Sequence, residues 1–574
     1  MATHDSPSSS HPASPSPQAR LIALLRAERR DLWILVIYGL VIGLLTLVVP
    51  FAVQALVNTA GFGTLIQPLL VLAGLVFVGL GFSAAVQAVQ AHVIEMIQRR
   101  LFVRTALDLA GRFPRVRQEA FDQYHGPELV NRFFDVLTVQ KSASILLLDG
   151  LSIIIQAVIG LTLVALYHPA LLVYSVLVAL SLMAIVRVLG TRGVRTAVGE
   201  SKAKYAVAAW LEEVARHPVT FKSAGGPVLA LDRVDALLER YLDYRSQHFQ
   251  VVFRQFLGIL LLYMLASSVL LGLGGWLVIL QQLSLGQLVA AEFIVTVIVG
   301  GFAKFGKQLE TFYDLLAAVD KLGQLTDLPL EHEAPGALPA TDRPMAVAFR
   351  DVVLAYPAGP PVLVGLDLEL HPGEAVGIVG AHGAGKTTLL EALFGLRLPE
   401  AGAITLDGVT MRELDLMRLR AEIELVREIE LFDGTVLENV RMGRLKVDES
   451  AVRRALAAVN LLDRINDLPE GLHTRLMVAG SPLSPGEARR LVLARSIAGR
   501  PRLLLLDEAL GHLDQASQTS VLEAVFAEDA PWTVVASTYN RQALARCDRI
   551  FELRDGRLHE VTLADLSGDA GGTP

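Results

Sequence analysis

Six stretches of about twenty or more mainly apolar residues occupy the chain up to Phe302, and nothing else in the sequence restricts the fold as strongly. They run from Trp33 to Val57, from Ile66 to Val93 with the apolar part ending near Ala85, from Ile145 to Tyr167, from Ala170 to Leu189, from Phe256 to Leu280 and from Leu283 to Phe302. A helix rises about 1.5 Å per residue, so each stretch can cross about 30 Å of hydrocarbon. Lipid offers peptide groups no hydrogen-bond partner, so apolar runs of this length satisfy their backbone internally, as helices. An all-α six-helix membrane domain over 21–326 is the expectation. The composition points to a second, soluble part. Mean hydropathy is +0.47 and 52% of residues are hydrophobic, yet 19% are charged. A net charge of −7 gives no reason to expect nucleic acid as a partner. One cysteine, Cys547, excludes an intrachain disulfide and any Cys-cluster metal site. Residues 1–20, rich in Ser, Pro and His, read as a disordered tail without the pattern of a cleaved signal.

Loop charge predicts orientation. The 58–65 connection and the His168-Pro169 and Gln281-Gln282 turns carry no Lys or Arg, whereas 97–143 and 190–255 are rich in them. By the positive-inside rule the two long loops and both termini are cytoplasmic, as for a multi-pass protein of a bacterial-type inner membrane. Both loops keep helical periodicity, so the spans are expected to continue below the bilayer, with short breaks near Gly126 and Pro218. Asp149 and Glu292 lie within spans, where an ionisable group is a functional candidate, here one favouring a cationic group. Asp327 to Arg343 reads as a linker, with 345–560 as a second domain and 561–574 as a tail.

That second domain alternates strands and helices, an α/β pattern. Gly380-Ala381-His382-Gly383-Ala384-Gly385-Lys386-Thr387 follows the apolar run Ala375 to Val379 and precedes the helical run Leu389 to Leu393. This is the phosphate-loop pattern of a P-loop NTPase. Its glycines let backbone N–H groups wrap a phosphate at a helix N-terminus; Lys386 reaches the β/γ-phosphates and the Thr387 hydroxyl coordinates Mg²⁺, with Thr388 adjacent to the nucleotide. Leu503 to Leu506 is a buried strand ending in Asp507, placed to hold Mg²⁺, and Glu508, placed to polarise the attacking water. Leu483-Ser484-Pro485-Gly486-Glu487 opens a helix whose N-terminus can face a second phosphate, and Tyr356 is placed to stack on adenine.

With these motifs in this order, the chain resembles the ATP-binding cassette (ABC) exporters in which six spans are fused to one nucleotide-binding domain. Leu483 to Glu487 resembles the family's signature sequence, Gly511-His512-Leu513-Asp514 its D-loop, and Tyr356 its adenine-stacking residue. The resemblance implies a dimer with a second half-transporter. Two ATP molecules would lie between one subunit's phosphate loop and the other's signature, contacted by Ser484, Gly486, Glu487 and Asp514. It also implies that the breaks near Gly126 and Pro218 couple the two domains. Gly286 to Leu330 is similar to exporters of the type I secretion and bacteriocin group, without the peptidase domain many of them carry.

Several positions depart from the family pattern. Arg427 stands where the Q-loop glutamine is expected; a guanidinium has no acceptor and cannot ligate a metal, though it can pair with phosphate. Tyr539 replaces the switch histidine and, with a phenol pKa near 10, is a poor proton shuttle at neutral pH. Pro485 removes one backbone donor from the signature, and Met477 to Ser481 contains no glutamate. The expectation is an ATP-driven exporter subunit, the degenerate half of a heterodimer. A slow homodimer and a membrane protein using ATP only as a regulatory ligand are the alternatives, and no residue cluster names the substrate.

Overall fold

The computed structural model describes residues 15–60, 66–123, 126–357, 359–477, 480–511 and 515–567. The chain divides into two compact units. Residues 1–115 and 124–328 form the first, and Val116–Gln123 joins Pro329 onward in the second.

Among the described residues the first unit is built of helices. Arg29–Leu45 and Val48–Ala60 make the first apolar element, interrupted where the Thr46 hydroxyl donates to the Gly43 carbonyl at 2.7 Å. Ile66–Arg112 is 47 residues long and Gly226–Ile279 is 54, about 70 and 80 Å of helix, more than twice the hydrocarbon thickness. The spans thus continue as long polar helices. The breaks fall at Phe113–Gln123, with short helices Phe113–Arg115 and Gln118–Gln123, and at His217–Gly225 around Pro218–Phe221. Two tight turns have clear local causes. His168 caps Pro169–Ala184, its Nδ1 accepting from the Ala170 N–H at 3.1 Å, with Pro169 in the first turn where it costs no hydrogen bond. Ser284 and Gln287 cap Leu285–Thr326 reciprocally.

Five of the described helical segments are long and apolar enough to cross a membrane, and Leu285–Ile298 is a shorter apolar helical stretch in the place of the expected sixth. Leu171, Leu270, Ala291 and Ile294 pack inside this unit, while Leu70, Phe77, Val78 and Leu166 are exposed, as lipid-facing side chains are. Asp149 is exposed, within one π-helical turn, Leu146–Gly150. Glu292 is half-buried, one carboxylate oxygen enclosed without a hydrogen-bond partner among the described residues. At the N-terminus, Ser16 caps a helix that begins at Pro17, inside the stretch read from sequence as a tail. Arg20 on that helix pairs with Asp320 at 3.1 Å and with Asp327, which fastens it to the end of Leu285–Thr326.

In the second unit the central sheet runs, edge to edge, Arg557–Val561, Arg549–Arg554, Ala375–Val379, Thr533–Ser537, Leu503–Asp507 and Ile423–Val426. All neighbours are parallel except the antiparallel edge strand Arg557–Val561. Leu503 and Leu505 pack with Val376, Ile378 and Val535 on one face; Leu504 and Leu506 pack with Val534 and Ala536 on the other. A strand covered on both faces is apolar at every position, which is why Leu503 to Leu506 shows no alternation. A smaller antiparallel sheet, Pro361–Leu370, Val347–Ala355, Ala401–Leu406 and Val409–Thr410, lies in the same unit. The stretch read as a linker is pinned to this unit: Glu331 receives two hydrogen bonds of 2.8 Å from Arg420, and Leu330 bridges to Val116.

Cys547 is half-buried, its thiol donating to the Ala543 carbonyl at 3.4 Å. Burial, and then the charge of Asp548, push the thiol up to about 12. A thiol reagent at pH 8 is expected to label the folded chain roughly 10²–10³-fold more slowly than the urea-unfolded chain, because only the thiolate reacts. Equal labelling rates would show that Cys547 is not enclosed.

Candidate nucleotide site

Parallel strands end at a common edge, and that edge assembles the site. The loop after Ala375–Val379 carries the phosphate-loop residues. The ends of the three neighbouring strands carry Thr538-Tyr539, Asp507-Glu508 and Arg427. In open α/β sheets ligands bind at this carboxyl edge.

The loop geometry is that of an anion cradle. Gly383 has φ +81°, with no atom within 4 Å of the place a Cβ would occupy; Gly385 has φ +103°, and a Cβ there would stand 2.7 Å from Val362. Neither conformation suits a side chain. Gly380 opens the loop and Ala384 closes a turn onto the Ala381 carbonyl at 3.2 Å. Gly385 is the N-cap of Lys386–Leu393, so the free N–H groups of that helix face the loop. Lys386 is buried, and its ammonium donates to the carbonyls of Gly380 at 2.8 Å and Ala381 at 3.1 Å and to the Tyr539 hydroxyl at 3.0 Å. The Tyr539 hydroxyl donates to the Gly380 carbonyl. Tyr539 thus sits on the phosphate loop and shares its lysine.

Thr387 is exposed while Asp507 is buried. Burial raises the Asp507 carboxyl above the usual carboxylate range, against the pull of the Thr387 and Ser537 hydroxyls and the charge of Arg427. A hydroxyl facing an enclosed carboxylate is an all-oxygen donor set that fits Mg²⁺. Glu508 is exposed beside it at φ +52°, a conformation rare for a residue with a side chain, held by its N–H bond to the Ser537 carbonyl at 2.9 Å.

Tyr356 follows Val347–Ala355, its hydroxyl 3.1 Å from the Thr388 hydroxyl and one ring face covered by the Arg397 guanidinium at 4.3 Å. Arg427 does not point freely at the loop, since it donates to Glu391 at 2.7 Å. Glu391 and Arg397 were not singled out from sequence. The available signal was an acid four positions after Thr387 in an otherwise apolar helical run.

The signature region forms its own helix start. Ser484 caps Pro485–Gly499: the Glu487 N–H donates to the Ser484 hydroxyl at 3.3 Å, and the Glu487 carboxylate accepts from the Ser484 N–H at 2.8 Å and from Arg464 at 3.0 Å. Pro485 stands in the first turn, so the helix loses nothing by it, although an anion would lose a donor. Gly486 is half-buried in the same turn. Asp514 lies outside the described residues, whereas Arg489 reaches the Gly511 carbonyl at 2.9 Å.

Residues 363–511 match the family model described as ABC transporter. An ATP-dependent lipid A-core flippase of Chromobacterium violaceum is 35% identical over 283 residues, 48% of each chain. The mycobactin import ATP-binding/permease protein IrtB of Mycolicibacterium thermoresistibile is 30% identical over 316 residues, 54% of each. ABC transporter B family member 29 of Arabidopsis thaliana is 28% identical over 410 residues, 69% of this chain and 63% of that one. The chain therefore aligns with about half the length of the first two of these relatives. A solved bacterial Atm1-family ABC exporter with ATP bound shares the fold, with a TM-score of 0.81 at 24% identity over 95% of this chain and 96% of that one. The chain thus combines a stretch that matches the ABC transporter model with the overall fold of that solved exporter.

Proposed function

We propose that this chain is one half of a dimeric, ATP-driven exporter of a bacterial-type inner membrane, with its ATP-binding unit and both termini cytoplasmic. The observation that supports this most directly is the gathering of Lys386, Thr387, Asp507 and Glu508 at one sheet edge, in a chain whose other unit is made of helices long enough to span a bilayer. Lys386 neutralises phosphate charge, Thr387 and Asp507 hold Mg²⁺, and Glu508 orients the attacking water and takes its proton. Tyr356 offers adenine the ring face opposite Arg397. Ser484, Gly486, Glu487 and Asp514 serve the nucleotide held by the second half-transporter.

Within that reading, the chain is the slower half of a heterodimer. Arg427 is held by Glu391 and Tyr539 by Lys386 and the Gly380 carbonyl, so neither supplies the metal ligand or proton shuttle that a glutamine and a histidine would. Retention of Glu508 favours the second reading, a self-sufficient homodimer that turns over slowly. ATPase activity and mass, measured on the chain purified alone in lipid, separate the two. A homodimer hydrolysing ATP carries the second reading; a monomer or an inert dimer that binds ATP carries the first. Absence of ATP binding would defeat both.

In either arrangement, Tyr539→His is expected to raise turnover at this chain's loop by about tenfold, since imidazole can move a proton at neutral pH and frees Lys386. Phosphate release by the dimer, with any partner site silenced, reads this directly, and an unchanged rate would show that Tyr539 does not limit it. The names of the relatives include both a flippase and an import protein, so cargo and direction need a direct test. Asp149 and Glu292 favour a cationic cargo. Asp149→Asn with Glu292→Gln should reduce transport of cations more than of neutral compounds, and equal loss would reject that preference.

A further inference from the structure

Residues Val116–Gln123 are continuous in sequence with the helical unit on both sides but pack as part of the nucleotide-binding unit. Their hold is specific. Arg117 donates its N–H to the Pro329 carbonyl at 2.9 Å and its Nε to the Leu330 carbonyl at 3.1 Å. Asp122 receives the Arg397 Nη2 on both carboxylate oxygens, at 3.1 and 2.9 Å. Arg397 is buried and also donates its Nε to Glu391 Oε2 at 2.8 Å. The other Glu391 oxygen accepts from Arg427 Nη1 at 2.7 Å. Four charges of alternating sign thus run from a segment embedded in the helical unit's sequence to the strand end beside Asp507. The Arg397 guanidinium also covers the Tyr356 ring.

We propose that Glu391 is a positioning residue at the centre of an ionic relay, Asp122–Arg397–Glu391–Arg427, by which the seating of residues 116–123 decides whether Arg427 stays on Glu391 or turns towards the metal-binding carboxylate Asp507. The physical basis is competition. Buried charges demand partners, and Arg397 divides its donors between Asp122 and Glu391. When Asp122 withdraws, Arg397 draws on both Glu391 oxygens and Arg427 is released. The freed guanidinium carries a charge that opposes a divalent cation at Asp507. An acceptor-less arginine at this position therefore regulates the metal site by leaving it or approaching it, where a metal-ligating side chain would act by direct contact.

The inference rests on the reading of Thr387 and Asp507 as ligands of Mg²⁺ with ATP. Its test uses the full chain in phospholipid nanodiscs, the fluorescent probe MANT-ATP, and the Mg²⁺ concentration that gives half of the full gain in probe affinity, with melting followed on the same samples. Asp122→Asn is expected to raise that concentration about three- to tenfold, within the range of coupling changes produced along contact networks. Glu391→Gln should raise it at least as much, and adding Asp122→Asn to it should change nothing further. Arg397→Gln should not raise it, because Glu391 then holds Arg427 alone. Arg397→Lys, which keeps the charge but reaches one carboxylate instead of two, must behave the same way and serves if the glutamine form does not fold. A segment that merely docks predicts the same rise for Asp122→Asn and Arg397→Gln, with matching losses of melting temperature, and that result would overturn the relay. So would an Asp122→Asn protein within twofold of the unaltered chain. If the unaltered chain shows no Mg²⁺-dependent binding of the probe, the ATP reading itself fails and takes the relay with it.

Discussion

Glu508→Gln is expected to lower ATP hydrolysis at this chain's phosphate loop by about 10²–10³-fold while leaving ATP bound, the largest kinetic effect foreseen for any single residue. The substitution keeps the size of the side chain and its strained backbone, φ +52°, and removes only the charge proposed to polarise water. Neighbouring groups hold their places without it: Asp507 is set by the strand and by Thr387, and the Glu508 N–H is bonded to Ser537 whatever the side chain. Single-turnover hydrolysis and nucleotide affinity should therefore separate cleanly, the first lost and the second kept. Loss of affinity in parallel would make Glu508 a structural residue. Background turnover in both forms would leave the site a regulatory ATP-binding site and remove hydrolysis from its function.

Lys386→Ala is expected to act on affinity instead. Its ammonium, buried in the loop, donates to the Gly380 and Ala381 carbonyls and is the group proposed to meet the β- and γ-phosphates. Charge-assisted hydrogen bonds contribute about 1.5–3 kcal/mol each, so losing those to phosphate weakens ATP binding by about 10²-fold. The same substitution also frees the Tyr539 hydroxyl from its lysine partner. Calorimetric ATP binding, with the melting temperature as a control, reads the effect. A Lys386→Ala chain that binds ATP within threefold of the unaltered one would place the phosphates away from this loop.

Much of this architecture is legible in the sequence because it depends on local chemistry. Apolar runs of about twenty residues have only one way to satisfy their backbone in lipid, so the spans could be placed from hydropathy. Glycines 383 and 385 occupy positive φ, and a strand buried on both faces reads as Leu503 to Leu506. The phosphate-loop residues and the Asp507-Glu508 pair are read from short strings because strand, loop and helix follow one another within a few positions. The continuation of helices beyond the apolar runs was visible as periodicity, and the break around Pro218 is marked by proline and glycine, whereas the first break falls at Phe113–Gln123, ahead of Gly126.

What the sequence could not decide is who meets whom across long separations. Arg427 is 36 positions from Glu391 and Arg397 is 275 from Asp122, and no local pattern pairs them. Glu391 lies on the helix after the phosphate loop, Arg397 just beyond it and Arg427 at a strand end, and only the fold brings them together. The same holds for Tyr539, 153 positions from the lysine it touches, whose replacement of a histidine was visible while its seat on the Gly380 carbonyl was not. By itself the sequence determined the elements and the chemistry of the loop, since those arise from neighbouring residues. The tertiary structure alone decided that Arg427 is held by buried Glu391 and Tyr539 by buried Lys386, since a buried charge must find polar partners wherever the fold places them.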